Sequence, residues 1–107
     1  MDTAHPNVER AILMADVTGS TPLYDRFGDV AASRMVHECV TGMQRIATEG
    51  GGAFVRSKGD DVLCLFDDAD AALAAARRIL HLGEAGAVSL HAGLHWGGVL
   101  WWGDELF

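Results

Sequence analysis

Residues 11–22 read Ala11-Ile12-Leu13-Met14-Ala15-Asp16-Val17-Thr18-Gly19-Ser20-Thr21-Pro22. Five apolar residues stand in an unbroken run, too few for a buried helix, and predict a strand covered on both faces. Asp16 closes the run. Ser20 or Thr21 is a candidate N-cap, and Pro22 suits the first helical position. A strand that passes through a glycine turn into a helix start offers backbone N–H groups and the positive end of a helix, a setting for phosphate. The carboxylate beside it suits a hard cation that bridges to the same phosphate. The plainer role for Asp16 is to close the turn by hydrogen-bonding to backbone N–H groups.

The chain has 107 residues, half of them hydrophobic, which fits one small domain with a packed core. A net charge of −7 argues against sequence-independent nucleic-acid binding, which needs a basic face. It leaves room for a nucleotide carried with a metal. Cys39 and Cys64 stand singly inside apolar runs, without zinc-type spacing, and read as small core residues of a reducing compartment. No apolar run reaches transmembrane length, and Met1–Asn7 is polar with no signal-peptide core. The expectation is a cytoplasmic domain over residues 10–107, preceded by a leader over residues 1–9.

Along the chain, Leu23 to Phe27 predict a short helical turn broken at Gly28, with Asp29 as N-cap of a long helix. Met35, Val36, Cys39, Val40, Met43, Ile46 and Ala47 keep the helical period. Gly50, Gly51 and Gly52 stop it, with Gly50 in the left-handed cap position. Ala53–Ser57 and Val62–Phe66 predict strands joined by the turn Lys58-Gly59-Asp60-Asp61. A second helix follows over Ala69–Leu82. Its acidic start and basic end suit the helix dipole. Gly83–Gly86 predicts a loop. Val88, Leu90, Ala92, Leu94 and Trp96 then alternate with polar or small residues, as in a strand with one buried face. Gly97-Gly98 is expected to turn that strand into another over Val99–Trp102.

This order predicts an α+β, ferredoxin-like βαββαβ fold with a mainly antiparallel sheet and helices packed on it. The right-handed crossover makes the strands flanking the first helix parallel, with the second hairpin strand between them. The hairpin turn then falls at the sheet edge where the first strand ends. Asp16 and Asp60, distant in sequence, become neighbours, with Asp61 as the near alternative to Asp60. Two carboxylates beside a phosphate-binding turn suit two-metal phosphoryl-transfer chemistry.

Three segments, ILMADVTGSTPLYDRFGD (12–29), GGAFVRSKGDDVLCLFDDADAALAAA (51–76) and LHAGLHWGGVLWWGDELF (90–107), together resemble the class III adenylate/guanylate cyclase catalytic domain of bacteria. The resemblance implies that Asp16 and Asp60 bind two Mg²⁺ or Mn²⁺ ions. It implies that Val17, Thr18, Gly19, Ser20 and Thr21 cradle the triphosphate of ATP or GTP, and that the protein works as a dimer or higher oligomer. The implied product is the cyclic 3′,5′-monophosphate with release of pyrophosphate. The family's base-reading Lys falls at Arg56, and its partner acid at Glu105, with Asp104 as the alternative. A cationic donor with a carboxylate acceptor suits adenine, so ATP is favoured over GTP. Arg differs from Lys in shape and hydrogen-bonding geometry. The resemblance covers the N-terminal portion of the family domain. The family's Asn and Arg, which orient the ribose and stabilise the transition state, would fall after Phe107. The 107-residue form is therefore expected to be inactive.

Three other features have weaker readings. Trp102-Gly103-Asp104-Glu105-Leu106-Phe107 faintly resembles the GGDEF loop of diguanylate cyclases, but that loop belongs in the hairpin turn, here Lys58–Asp61. His91 and His95 share a strand face and are possible zinc ligands, with no third ligand in view. Trp96, Trp101 and Trp102 suit packing or a subunit contact better than base stacking. Two functions of different class follow: a nucleotidyl cyclase domain, or a non-catalytic cyclase-like module that binds nucleotide or dimerises.

Overall fold

Among the described residues, seven elements follow one another: β1 (Ala4–Thr18), α1 (Ser20–Glu49), β2 (Ala53–Lys58), β3 (Asp61–Phe66), α2 (Ala69–Glu84), β4 (Ser89–Trp102) and β5 (Glu105–Leu106). The computed structural model describes the backbone of residues 4–84, 88–102 and 105–106. The strands form one sheet in the order β2-β3-β1-β4-β5, with every neighbouring pair antiparallel. β1 and β2 both run against β3, so they are parallel to each other with β3 between them, as the ferredoxin-like topology requires.

Both helices cover one face of this sheet. Ala11, Leu13, Ala15 and Val17 of β1 meet Val40, Met43, Ile46 and Ala47 of α1 and Ala72, Ala75, Ala76 and Ile79 of α2 in one core. Leu13, Met43, Phe66 and Ile79 are essentially sealed from solvent, and each such side chain contributes about 1.5–3 kcal/mol by burial. The alanines of α2 let its axis lie close to the sheet. At the end of α1, Gly52 passes so near Phe66 that an added Cβ would sit 2.6 Å from its ring.

Several local expectations are corrected. The opening strand is covered on one face only: Ala11, Leu13 and Ala15 are buried while Met14 is 48% exposed. A run of five apolar residues fits either case; among the described residues the helices pack on the Ala11, Leu13 and Ala15 side, and the other face is open at Met14 although its β3 partner Leu63 is buried. The strand is also longer than the apolar run, since β4 pairs with it from Thr18 back to Ala4. Gly97 and Gly98 do not turn the chain. They pair with Arg10 and Glu9, and neither has the positive φ of a tight hairpin. One continuous strand therefore replaces the two expected. Helix α2 continues through Gly83 and Glu84, where a loop was expected, and residues 85–87 lie outside the described residues. Gly51 rather than Gly50 takes the left-handed conformation after α1, with φ 94°. Its neighbour Gly52 then donates to the Ala47 carbonyl at 2.9 Å.

The break at Gly28 is observed. Its φ of 82° and ψ of 168° divide α1 into two helical segments. Val88, just before β4, and Leu90 within it are buried, but Leu94 and Trp96 of β4 are 43% and 46% exposed. Their partners in register, Leu13 and Ala11 of β1, are buried in the core, so the helix layer thins sideways from β1 to β4 at these rows.

Candidate functional site

β1 delivers Asp16 to the sheet edge from which the chain enters α1. Thr18 ends the strand, and its hydroxyl donates to the Ser89 carbonyl at 3.5 Å. Gly19 follows in the left-handed region, with φ 65° and ψ 37°, and is itself the N-cap of α1. The expected caps, Ser20 and Thr21, are instead the first two helical residues, and Pro22 is the third rather than the first. Glycine adopts the left-handed conformation without the Cβ penalty, so the backbone turns there before either hydroxyl reaches a cap position. No side chain caps this helix start, and its first turn carries no acid. The amides of Gly19, Ser20 and Thr21 lack intrahelical partners by position, and Pro22 contributes none. The first turn therefore offers its positive end without an acidic side chain of its own.

The β2–β3 hairpin supplies the second acid. Lys58 pairs with Asp61 around the two-residue loop Gly59-Asp60. Gly59 has φ 69°, which meets the demand of a II′ turn for glycine at its first central position. Ser57 braces the turn by donating to the Asp61 carbonyl at 2.9 Å. The N–H of Val17 reaches across to donate to the Asp60 carbonyl at 3.0 Å.

Register completes the arrangement. Asp16 stands opposite Asp61 of β3 on one side and opposite His91 of β4 on the other. Directly opposed residues share a face, with Cβ atoms about 4.5–5.5 Å apart. The row Asp61–Asp16–His91 therefore crosses three strands on the face away from the helices. The next row on that face is Leu63–Met14–Gly93. Asp16 and Asp61 are half-buried, His91 is exposed, and all three line one cavity of about 230 Å³ with Met14, Ala15, Ala92 and Gly93. Asp61 is held by a further interaction of its own. The spacing of the sequence pointed to Asp60. The register sets its neighbour Asp61 directly across from Asp16, while Asp60 occupies the turn just beyond.

Arg56 pairs with Leu63 in the middle of the hairpin, and Glu105 pairs with Trp102 at the far end of β4. Trp102 is nine residues along β4 from Gly93, about 30 Å at the rise of a strand. The described backbone does not bring Arg56 and Glu105 together, and Asp104 lies outside the described residues. The Arg56 exception to the family pattern thus lies near the acids, while Glu105 does not. His95 pairs with Ile12, two rows away from Asp16.

Asp16, Asp60 and Asp61 offer hard oxygen donors. Mg²⁺ and Mn²⁺ typically take one or two carboxylates and complete their shells with water and substrate phosphates, so this donor set fits them. Among the described residues, no group of three or more His, Cys, Asp or Glu side chains is assembled to hold an ion. No helix among them is long and apolar enough to cross a membrane.

No family model and no curated protein matches the chain. Solved structures do. The chain is similar to an adenylate/guanylate cyclase/hydrolase from Silicibacter pomeroyi, with 25% identity and a TM-score of 0.75 over 97% of this chain and 64% of that one. It is also similar to the dimeric guanylyl cyclase domain of the RhoGC fusion protein from the aquatic fungus Blastocladiella emersonii, with 19% identity and a TM-score of 0.77 over 94% of this chain and 63% of that one. A third likeness is to the adenylyl cyclase CyaB from P. aeruginosa, with 16% identity and a TM-score of 0.67 over 91% of this chain and 59% of that one. The fold is that of class III adenylyl/guanylyl cyclase catalytic domains, and the chain spans about three fifths of the length of these solved examples.

Proposed function

We propose that this chain is the N-terminal portion of a nucleotidyl cyclase catalytic domain, acting on a nucleoside triphosphate. The observation that carries the reading is the convergence of Asp16 with the Asp60-Asp61 turn beside an uncapped helix start, inside the cyclase fold. Asp16 and Asp60 are the proposed metal ligands, with Asp61 as the alternative that the register favours. Two Mg²⁺ or Mn²⁺ ions, when bound, lower the pKa of the 3′-hydroxyl and stabilise charge at the α-phosphate. The segment Val17–Thr21 holds the triphosphate through the amides of Gly19, Ser20 and Thr21, with the first turn of α1 directing its positive end at the phosphates, while the Val17 amide stays bound to the Asp60 carbonyl. The 3′-hydroxyl gives up its proton to water, its oxygen attacks the α-phosphorus, the bond to the oxygen bridging to the β-phosphate breaks, and pyrophosphate leaves with that oxygen. Cytoplasmic residence fits such a substrate and two free cysteines.

The preference for ATP rests on the chemistry of a cationic donor paired with a carboxylate acceptor. Arg56 and Glu105 can serve it together only if the chain after Trp102 takes another course, or a second subunit supplies one of them. Product analysis with both nucleotides decides the point, and mainly cyclic GMP would overturn the assignment. Arg56 in the place of Lys also favours the competing reading, a non-catalytic module that binds nucleotide or dimerises.

We further propose that residues 1–107 alone turn over little substrate. The Asn and Arg that the resemblance sets after Phe107 are preorganised donors, each typically worth ~10²–10³ in rate. The test is a cyclic-nucleotide assay with Mn²⁺ and ATP on this chain and on a domain extended past Phe107. Metal titration in the presence of ATP accompanies it. Loss of metal binding in Asp16→Ala supports the reading, and unchanged titration ends it.

A further inference from the structure

The cross-strand partner of Asp16 on β4 is a histidine. Sequence alone left His91 without other ligands in view, but the register sets it in the row with Asp16 and Asp61, and the three line one cavity. We propose that His91 is a third protein ligand of the cation held at Asp16, making this a mixed nitrogen–oxygen site that favours a first-row transition ion over Mg²⁺. The inference rests on the metal-binding reading of Asp16 given above.

Three points of geometry and chemistry support it. First, an opposed antiparallel pair brings the Asp16 and His91 Cβ atoms within about 4.5–5.5 Å, a span that one ion between a carboxylate and an imidazole can bridge. Second, His91 has room to move. It is exposed, and a Cβ on Gly93, two residues along the same face, would meet nothing within 4 Å. No set of three such ligands is assembled among the described residues, so ion binding here requires the imidazole to rotate toward Asp16. Third, imidazole is a borderline ligand that suits transition ions, whereas Mg²⁺ prefers oxygen and keeps its waters. Carboxylates alone discriminate less between Mg²⁺ and Mn²⁺.

The test uses Mn²⁺ as the probe, with the whole chain and ATP present. Pulsed EPR should show ¹⁴N modulation from a directly bound imidazole, and His91→Ala should abolish it. The same variant should lose about tenfold in Mn²⁺ affinity while Mg²⁺ affinity measured by competition stays within twofold. Thermal unfolding of the variant controls for its fold. Absent ¹⁴N modulation in the unaltered protein, modulation that persists in His91→Ala, or an unchanged Mn²⁺/Mg²⁺ ratio would each overturn the proposal. Mn²⁺ binding that requires Asp16 but not His91 overturns this inference alone. Binding that survives Asp16→Ala, or no binding at all, overturns the cyclase reading with it.

Discussion

Val17 donates its backbone N–H to the Asp60 carbonyl at 3.0 Å, tying the end of β1 to the hairpin turn that follows β2. This bond lies outside the regular ladder and fixes the distance between the two acidic segments. It also makes the second acid more than a surface turn residue, because the turn cannot drift without breaking a contact to the first strand.

The same closeness carries a cost in the absence of metal. Asp16 faces Asp61 directly, and like charges in opposed positions destabilise a sheet by roughly 0.2–1 kcal/mol. Asp16→Asn should therefore raise the stability of the metal-free protein by about that amount, while weakening Mn²⁺–ATP binding at least tenfold. Denaturant titration at low salt, paired with metal titration, reads both effects. A variant that loses stability would mean that the carboxylate is needed for the turn itself.

Gly19 and Gly52 should fail differently on substitution. Gly19 has open space around its missing Cβ but a φ of 65°, so Gly19→Ala meets only backbone strain, about 1–2 kcal/mol. It should also weaken triphosphate binding by displacing the amides of Ser20 and Thr21. Gly52→Ala instead drives a Cβ into the buried Phe66 ring and the Ala47 carbonyl, with overpacking of about 1–3 kcal/mol and unchanged nucleotide affinity per folded molecule. Urea unfolding with nucleotide titration separates the two.

Much of this arrangement was legible in the chain because the deciding signals are local. Gly59-Asp60 between two apolar runs specifies a tight hairpin, Gly28 breaks a helical period, and crossover handedness then brings the hairpin to Asp16. The signals that misled depend on partners elsewhere. Gly97-Gly98 resembles a turn until Arg10 and Glu9 are known to pair with it. Met14 reads as core until the helices are seen to pack on the opposite side of β1, leaving it 48% exposed. The choice between Asp60 and Asp61, and the place of His91 beside Asp16, are matters of register, which a strand sequence with one-residue ambiguity does not determine.

Cys64 gives a pH test of the core. Burial raises its thiol pKa to about 11, against an unfolded value near 8.5. Between those values the unfolded chain has lost the proton and the folded chain keeps it, so stability falls as pH rises through that window. Below about 8.5 both states are protonated and the effect vanishes. Cys39 is also raised, by partial burial and then by Glu38, and adds in the same direction. Cys64→Ala should flatten the alkaline decline in melting temperature. Cys64 in the folded protein should resist thiol reagents at pH 7.5 and react only on unfolding. Rapid labelling of Cys64 under native conditions would contradict the packing described.

The outer edge of β4 is expected to drive self-association. Among the described residues, β1 pairs with one side of this strand from Ser89 to Trp102, with an irregularity between His5 and Val8, while on the other side β5 pairs with Trp101 and Trp102 alone. The remaining edge presents N–H and C=O groups in a row. Proteins commonly protect such edges with lysine, proline or inward-pointing charge. The strand reads SLHAGLHWGGVLWW and contains none of these. Leu94 and Trp96 add exposed apolar surface on its helix side. Light scattering should therefore report a dimer or larger species for residues 1–107. Leu94→Lys should shift it toward monomer, since a charge at that position penalises a second strand laid alongside. Leu94 is half exposed, so the substitution should change melting temperature little. A monomer at all concentrations would show that the edge is already protected. Association unaffected by Leu94→Lys would move the contact to the opposite face, where Met14 is exposed.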